Sequence, residues 1–158
     1  MASGDCLVVP AMLQTRMTAT ILTLAETSDF LDHEFPQMQA GGRAYHLEDV
    51  GPLSARMRLE AHERFLRPGA TVSGPAMMAL ADYALYAAIL ANIGPVALAV
   101  TTSLSFNFLR KPASGDLLAE CRLLKLGRRL AVGEVLITAV GNPDLVCHAT
   151  GTYSIPPR

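Results

Sequence analysis

Residues 73–92 read SGPAMMALADYALYAAILAN, and this stretch decides the architecture. From Ala76 to Ala91 every position is apolar or aromatic except Asp82. A helix that is apolar on every face is predicted to lie inside a molecule, not on its surface. A carboxylate there is costly unless it finds hydrogen-bond partners or a raised pKa. A carboxylate tuned in this way is a candidate functional group. Ser73 has the side chain of an N-cap, and Pro75 suits the first helical position. The unpaired N–H groups of the first turn, beside Gly74, are then open to an anion. One helix thus offers an oxyanion-type site at its start and a carboxylate about two and a half turns later.

Outward from this helix the pattern changes period. Upstream, residues 20–35 (TILTLAETSDFLDHEF) place Ile21, Leu24, Phe30 and Leu31 at helical spacing, and Pro36 should stop that helix. Residues 43–50 read as a short strand ended by Gly51-Pro52. From Leu53 to His62 apolar and polar residues alternate, with Leu53, Ala55, Met57, Leu59 and Ala61 on one face and Arg56, Arg58, Glu60 and His62 on the other. That alternation is the mark of a half-buried strand. Downstream of Gly94-Pro95 come four strand-like segments, 97–109, 116–126, 129–140 and 145–154, separated by Pro- and Gly-bearing breaks. The order of one short helix, two strands, a long buried helix and four strands predicts an α+β fold with an antiparallel sheet. No internal repeat or low-complexity tract is evident.

At 158 residues the chain is one domain's worth of sequence, read as a leader over 1–17 and a single domain over 18–158, with Met17 an alternative start. A formal net charge of -1 gives no global field for nucleic acid. Cys6, Cys121 and Cys147 are odd in number and widely spaced, so neither a disulfide framework nor a zinc site is expected. A reducing, cytoplasmic setting fits that usage. The apolar run over 76–91 is shorter than the roughly 20 residues a membrane span requires, and it contains Asp82. The N-terminal residues carry no basic region of the kind that opens a signal peptide.

The run RPGATVSGPAMMALADYAL, followed by FNFLRKPASGDLLAECRLLKLGRR, resembles the hotdog-fold thioesterases of the phenylacetate-degradation (PaaI-like) type over roughly residues 43–155. In that family a histidine-glycine-glycine turn opens the central helix, and an aspartate follows nine residues after the histidine. Here Ser73-Gly74-Pro75 occupies the turn, and Asp82 lies nine residues after Ser73. Phe108-Leu109-Arg110-Lys111-Pro112 and Gly115-Asp116 match the family's later strand end and turn. The resemblance implies a long helix wrapped by an antiparallel sheet, and hydrolysis of an acyl-CoA or related thioester with no metal or redox cofactor. It implies Asp82 as the general base or nucleophile, the Gly74 N–H as the donor that polarises the carbonyl, and Thr101 or Thr102 as the hydroxyl that places water. It also implies a dimer or tetramer in which Gly74 of one subunit faces Asp82 of another. The chain departs from the pattern at Ser73, at Pro75, and at Arg67, where an asparagine or similar residue is expected.

Tyr86, four residues after Asp82, lies on the same helical face and could line an acyl pocket, although such tyrosines are more often core. Arg110, Lys111, Lys125, Arg128 and Arg129 gather at two turns and could hold coenzyme A phosphates, while any one of them alone reads as a solvated rim. Ser73 and Arg67 are further candidates for substrate contact. The four histidines show no metal-ligand spacing, and Cys121 and Cys147 have no base partner. His33-Glu34-Phe35-Pro36 echoes the opening of hotdog dehydratases, but it closes the first helix. A non-catalytic acyl-CoA-binding module is the alternative of a different class, and a dehydratase ranks below hydrolysis.

Overall fold

The computed structural model describes residues 19–158, so the expected leader, Cys6 and Met17 lie outside the described residues. Helix α1 (Leu24–Glu34) begins four residues later than the apolar spacing indicated, because Thr23 caps it. The Thr23 side chain accepts from the Glu26 N–H at 3.2 Å, and the Glu26 carboxylate accepts from the Thr23 N–H at 2.8 Å. The helix ends before a single 3-10 turn over Pro36–Gln39, as the proline requires. Strands β1 (Tyr45–Gly51) and β2 (Ser54–Leu59) form an antiparallel hairpin. Ala55, Met57 and Leu59 are buried and Arg56 and Arg58 half-buried, which is the alternation read from the sequence. Ala61 and His62 fall beyond the strand. The Ala61 N–H turns instead to the Asp116 carboxylate.

A two-residue ribbon, β3 (Leu66–Arg67) with β4 (Thr71–Val72), leads into α2 (Gly74–Ile93). The Ser73 side chain accepts from the Ala76 N–H at 3.3 Å, confirming the cap, and Pro75 sits at the second helical position. At 20 residues α2 is long and apolar enough to cross a membrane, contrary to the expectation that the run falls short. It is instead buried by the sheet: Leu80, Ala84, Leu85, Ala87, Ala88 and Leu90 are all fully enclosed.

Strands β5 (Val100–Phe108), β6 (Leu117–Leu126), β7 (Leu130–Ala139) and β8 (Leu145–Ser154) complete one antiparallel sheet in the order β1-β2-β6-β7-β8-β5. The four late strands are therefore not a simple meander. β5 lies at the far edge beside β8, and residues 109–116 carry the chain back to the centre. Gly133 and Gly151 face each other across β7 and β8. A Cβ on Gly133 would lie 2.6 Å from Leu85 Cδ2, and one on Gly151 would lie 2.5 Å from Leu85 Cδ1. This glycine pair is a dent in the sheet into which Leu85 sinks, and it sets how closely α2 rests on the strands. A long helix cradled by a six-stranded antiparallel sheet is the hotdog architecture.

The register of β5 against β8 slips between Thr101 and Ser103. Leu104 and Phe106 are the half-buried, inward members of β5, so strict alternation would turn Thr102 inward as well. The extra residue in the bulge reverses that parity. Thr101 is half-buried opposite Tyr153, and Thr102 is exposed.

Candidate active site

Asp82 lies in the middle of α2, on the one stretch of the helix that the sheet does not enclose. It is half-buried, not fully buried as the all-apolar run implied, because it faces a groove of about 470 Å³ between α2, the end of α1 and the start of β5. Phe35, Met38, Ala79, Tyr83, Tyr86 and Val100 give the groove an apolar and aromatic lining, and Asp82, Thr101 and Tyr153 supply its polar wall. Phe35 stands edge-on to Tyr83 and Tyr86, with ring centroids 5.9 and 6.3 Å away. Tyr86 thus does line the groove, and its hydroxyl is anchored on the Ala97 carbonyl at 2.9 Å.

The carboxylate meets its burial cost with hydrogen bonds. The Thr101 hydroxyl donates to Asp82 Oδ1 at 2.7 Å. The Tyr153 hydroxyl donates to the same oxygen at 2.6 Å and lies 3.0 Å from the Asp82 backbone carbonyl. Burial, and then the nearby Asp82 carboxylate, push the Tyr153 phenol far above its ordinary range, so it stays a protonated donor. Among the described residues Asp82 Oδ2 has no hydrogen-bond partner. One oxygen is saturated and the other is free to act.

The helix start is a second site element. Ala76 donates to the Ser73 side chain, Met77 donates to the Ser73 carbonyl, and Pro75 has no N–H. The Gly74 N–H is thus the single first-turn donor left without an acceptor among the described residues. Gly74 also lies against Phe108: a Cβ there would be 3.6 Å from that ring. Eight residues of helix separate Gly74 from Asp82, about 12 Å, so one chain does not bring them to a common atom.

The other predicted site residues fall into four places. The Thr102 hydroxyl donates to the Thr152 carbonyl at 3.2 Å, away from the groove. Arg67 is exposed on β3, whereas Arg110 and Lys111 follow the end of β5 next to the Phe108–Gly74 contact. Arg110 donates to the Leu145 carbonyl at 3.1 Å and lies 3.9 Å from Asp144. Arg128 lines a separate surface depression with Arg129, Pro157 and Arg158 at the other end of the sheet. The basic residues therefore form no single patch.

Burial raises the Cys121 thiol to about 12 and the Cys147 thiol to about 11, which makes both inert packing groups. His62 accepts from the Arg64 N–H, while His46 pairs with Glu60 and His148 with Glu134, none of them at Asp82. In the dehydratase-like motif, Glu34 and Phe35 do reach the groove, but the His33 side chain is 84% exposed. Sequence reasoning missed Tyr153. The alternation Cys147, Ala149, Gly151, Tyr153 marks it as inward-facing, but its partner lies 71 residues away in the chain.

The long buried helix and the sheet wrapped around it are the hotdog fold, and the chain belongs to the thioesterase superfamily, whose family model matches residues 69–145. The chain is similar to a candidate thioesterase of Silicibacter sp. TM1040, with 48% identity, a TM-score of 0.80, and coverage of 89% of this chain and 96% of that one. It is also similar to a variant of the phenylacetic acid degradation protein PaaI of Thermus thermophilus, with 26% identity, a TM-score of 0.66, and coverage of 77% and 99%. A candidate esterase of Saccharolobus solfataricus is 26% identical over 144 residues, covering 91% of this chain and 87% of that protein. These relatives support hydrolase chemistry of the thioesterase kind.

Proposed function

We propose that this chain hydrolyses an acyl-CoA or closely related thioester, with Asp82 as the general base. The observation that carries the reading is the Asp82 carboxylate in an apolar groove, with Oδ1 held by Thr101 and Tyr153 and Oδ2 unpartnered. A general base must present a free acceptor within reach of water, and Oδ2 does. The water oxygen bonds to the thioester carbonyl carbon, and its proton passes to Oδ2. The carbonyl oxygen becomes the oxyanion, the carbon–sulfur bond breaks as the oxyanion returns to a carbonyl, and the departing thiolate takes up the proton held on Oδ2, which restores the base. The Thr101 hydroxyl uses its one O–H in the hydrogen bond it donates to Asp82. Toward water it can therefore only accept, which orients the water with a lone pair directed at the carbon.

The oxyanion needs a donor, and the unsatisfied Gly74 N–H is suited to it. The separation of about 12 Å along α2 means that Gly74 must come from a second copy of the chain. The outer edge of β5 is where that copy would join: the strand has only β8 beside it, and Val100, Phe108 and Leu109 are all about half exposed or more. Ser73 holds the helix start in shape, and Tyr86 with Phe35 receives the acyl group. Arg110 and Lys111 follow the strand end beside Gly74, so in such a dimer they meet the carrier's phosphates. Arg67 and Arg128 are assigned to the outer parts of the same substrate. No metal or redox group takes part in this reading, and the setting it calls for is the cytoplasm.

The test is release of free thiol from a panel of acyl-CoAs by the native chain and by Asp82→Asn. Turnover that collapses in the variant supports the reading. Binding without turnover in both overturns it in favour of an acyl-CoA-binding module. Equal turnover in both removes Asp82 as the base.

A further inference from the structure

We infer that Tyr153 is the positioning residue of this site, and that the bulge at Thr102 exists to bring a second hydroxyl beside it. The inference rests on the proposed role of Asp82. Three observations combine. Tyr153 is 3% exposed, and its ring stacks on Tyr86 with centroids 6.3 Å apart, so the hydroxyl is delivered from a fixed ring. It donates to Asp82 Oδ1 at 2.6 Å, a charge-assisted bond at the short end of the range. Its strand partner across β8 and β5 is Thr101, whose hydroxyl reaches the same oxygen only because the register slips by one residue.

The consequence is geometric. A carboxylate on two χ angles can present either oxygen to the groove. Two donors converging on Oδ1 from the sheet lock the plane of the group and leave Oδ2 as the working oxygen. Neither donor suffices alone, since a single bond leaves rotation about it. The same hydroxyl lies within 3.0 Å of the Asp82 backbone carbonyl, so it reports on the position of the helix as well as of the side chain. A bulge beside an active site that re-aims one side chain is a recognised use of that irregularity.

The experiment is Tyr153→Phe, which keeps the ring and its stacking and removes only the oxygen. Four quantities are measured: kcat and KM on a thioester that the native chain turns over, the melting temperature, and the crystallographic orientation of Asp82. The expected result is a fall in kcat of about 10- to 100-fold, the loss of one bond to a charged group, with KM within about twofold. In the variant's crystal structure the Asp82 carboxylate turns out of its native plane. A variant whose kcat is retained and whose carboxylate is unmoved overturns the inference while leaving Asp82 as the base. A variant that only melts earlier, with kcat per folded molecule unchanged, also overturns it and makes Tyr153 a packing residue. If the native chain turns over no thioester, the catalytic reading fails. The orientation of Asp82 still decides the positioning role, because an unmoved carboxylate refutes it without any activity.

Discussion

Helix α2 carries an aspartate and an asparagine ten residues apart, and their surroundings differ. Asn92 is 2% exposed and fully satisfied: its oxygen accepts from the Leu53 N–H at 3.0 Å, and its nitrogen donates to the carbonyls of Gly51 and Ala88 at 3.2 and 2.8 Å. It ties the tight turn between β1 and β2, where Leu53 takes a φ of 57°, to the end of the helix. Asp82 is half-buried and only half satisfied, with both its donors on one oxygen. A buried polar group whose capacity is used up is structural. One that is held firmly on one side and left open toward a groove is poised for chemistry.

That contrast breaks or sharpens by substitution, and the largest effect is expected at Asp82. Asp82→Asn should lower kcat/KM by about 10²- to 10⁴-fold, the contribution of a general base, while leaving the melting temperature within a few degrees. A loss of fold instead of activity would make the two residues alike and sink the distinction. Asn92→Ala should do the opposite. It strands the Leu53 N–H and the Gly51 carbonyl beneath the helix, costing about 2–4 kcal/mol in denaturant unfolding, with activity per folded molecule retained. Gly151→Ala probes the dent between them. A methyl group 2.5 Å from Leu85 Cδ1 and 2.8 Å from Leu104 Cδ2 forces those packed side chains to shift, at a cost of about 1–3 kcal/mol. Because Asp82 lies three residues before Leu85, activity should fall further than stability alone explains. The smallest expected effect separates neighbouring threonines: Thr101→Val should lower kcat about tenfold, and Thr102→Val about twofold or less. Equal effects from both would argue that the bulge does not choose between them.

How much of this was legible in the sequence follows from the range of each interaction. The long helix, its Ser73 cap and the strand alternation are local patterns of apolar and polar residues, and they read correctly. The position of β5 at the far edge did not, because strand order depends on a crossover that no turn signal encodes. Asp82 stood out as the one charge in an apolar run. Its choice between Thr101 and Thr102 was undecided because a bulge shows no composition cue in VTTSLS. Tyr153 was invisible as a partner because strand parity says which way a side chain points, not what it meets. The basic residues gather at two turns in the sequence, and those turns lie at opposite ends of the sheet, one following β5 and the other joining β6 to β7.

The start of α2 offers an anion fewer donors than most helix starts do. With Ser73 accepting from Ala76 and Met77 and proline at position 75, one first-turn N–H remains without an acceptor among the described residues, where phosphate-binding helix starts present several. A tetrahedral anion has oxygens pointing several ways and would leave most of them dry here. A carbonyl has one oxygen, and one donor matches it. On the proposed reading, the valence of this terminus suits a group that presents one oxygen, such as a thioester carbonyl, better than free phosphate or sulfate, before any side chain in the groove is consulted.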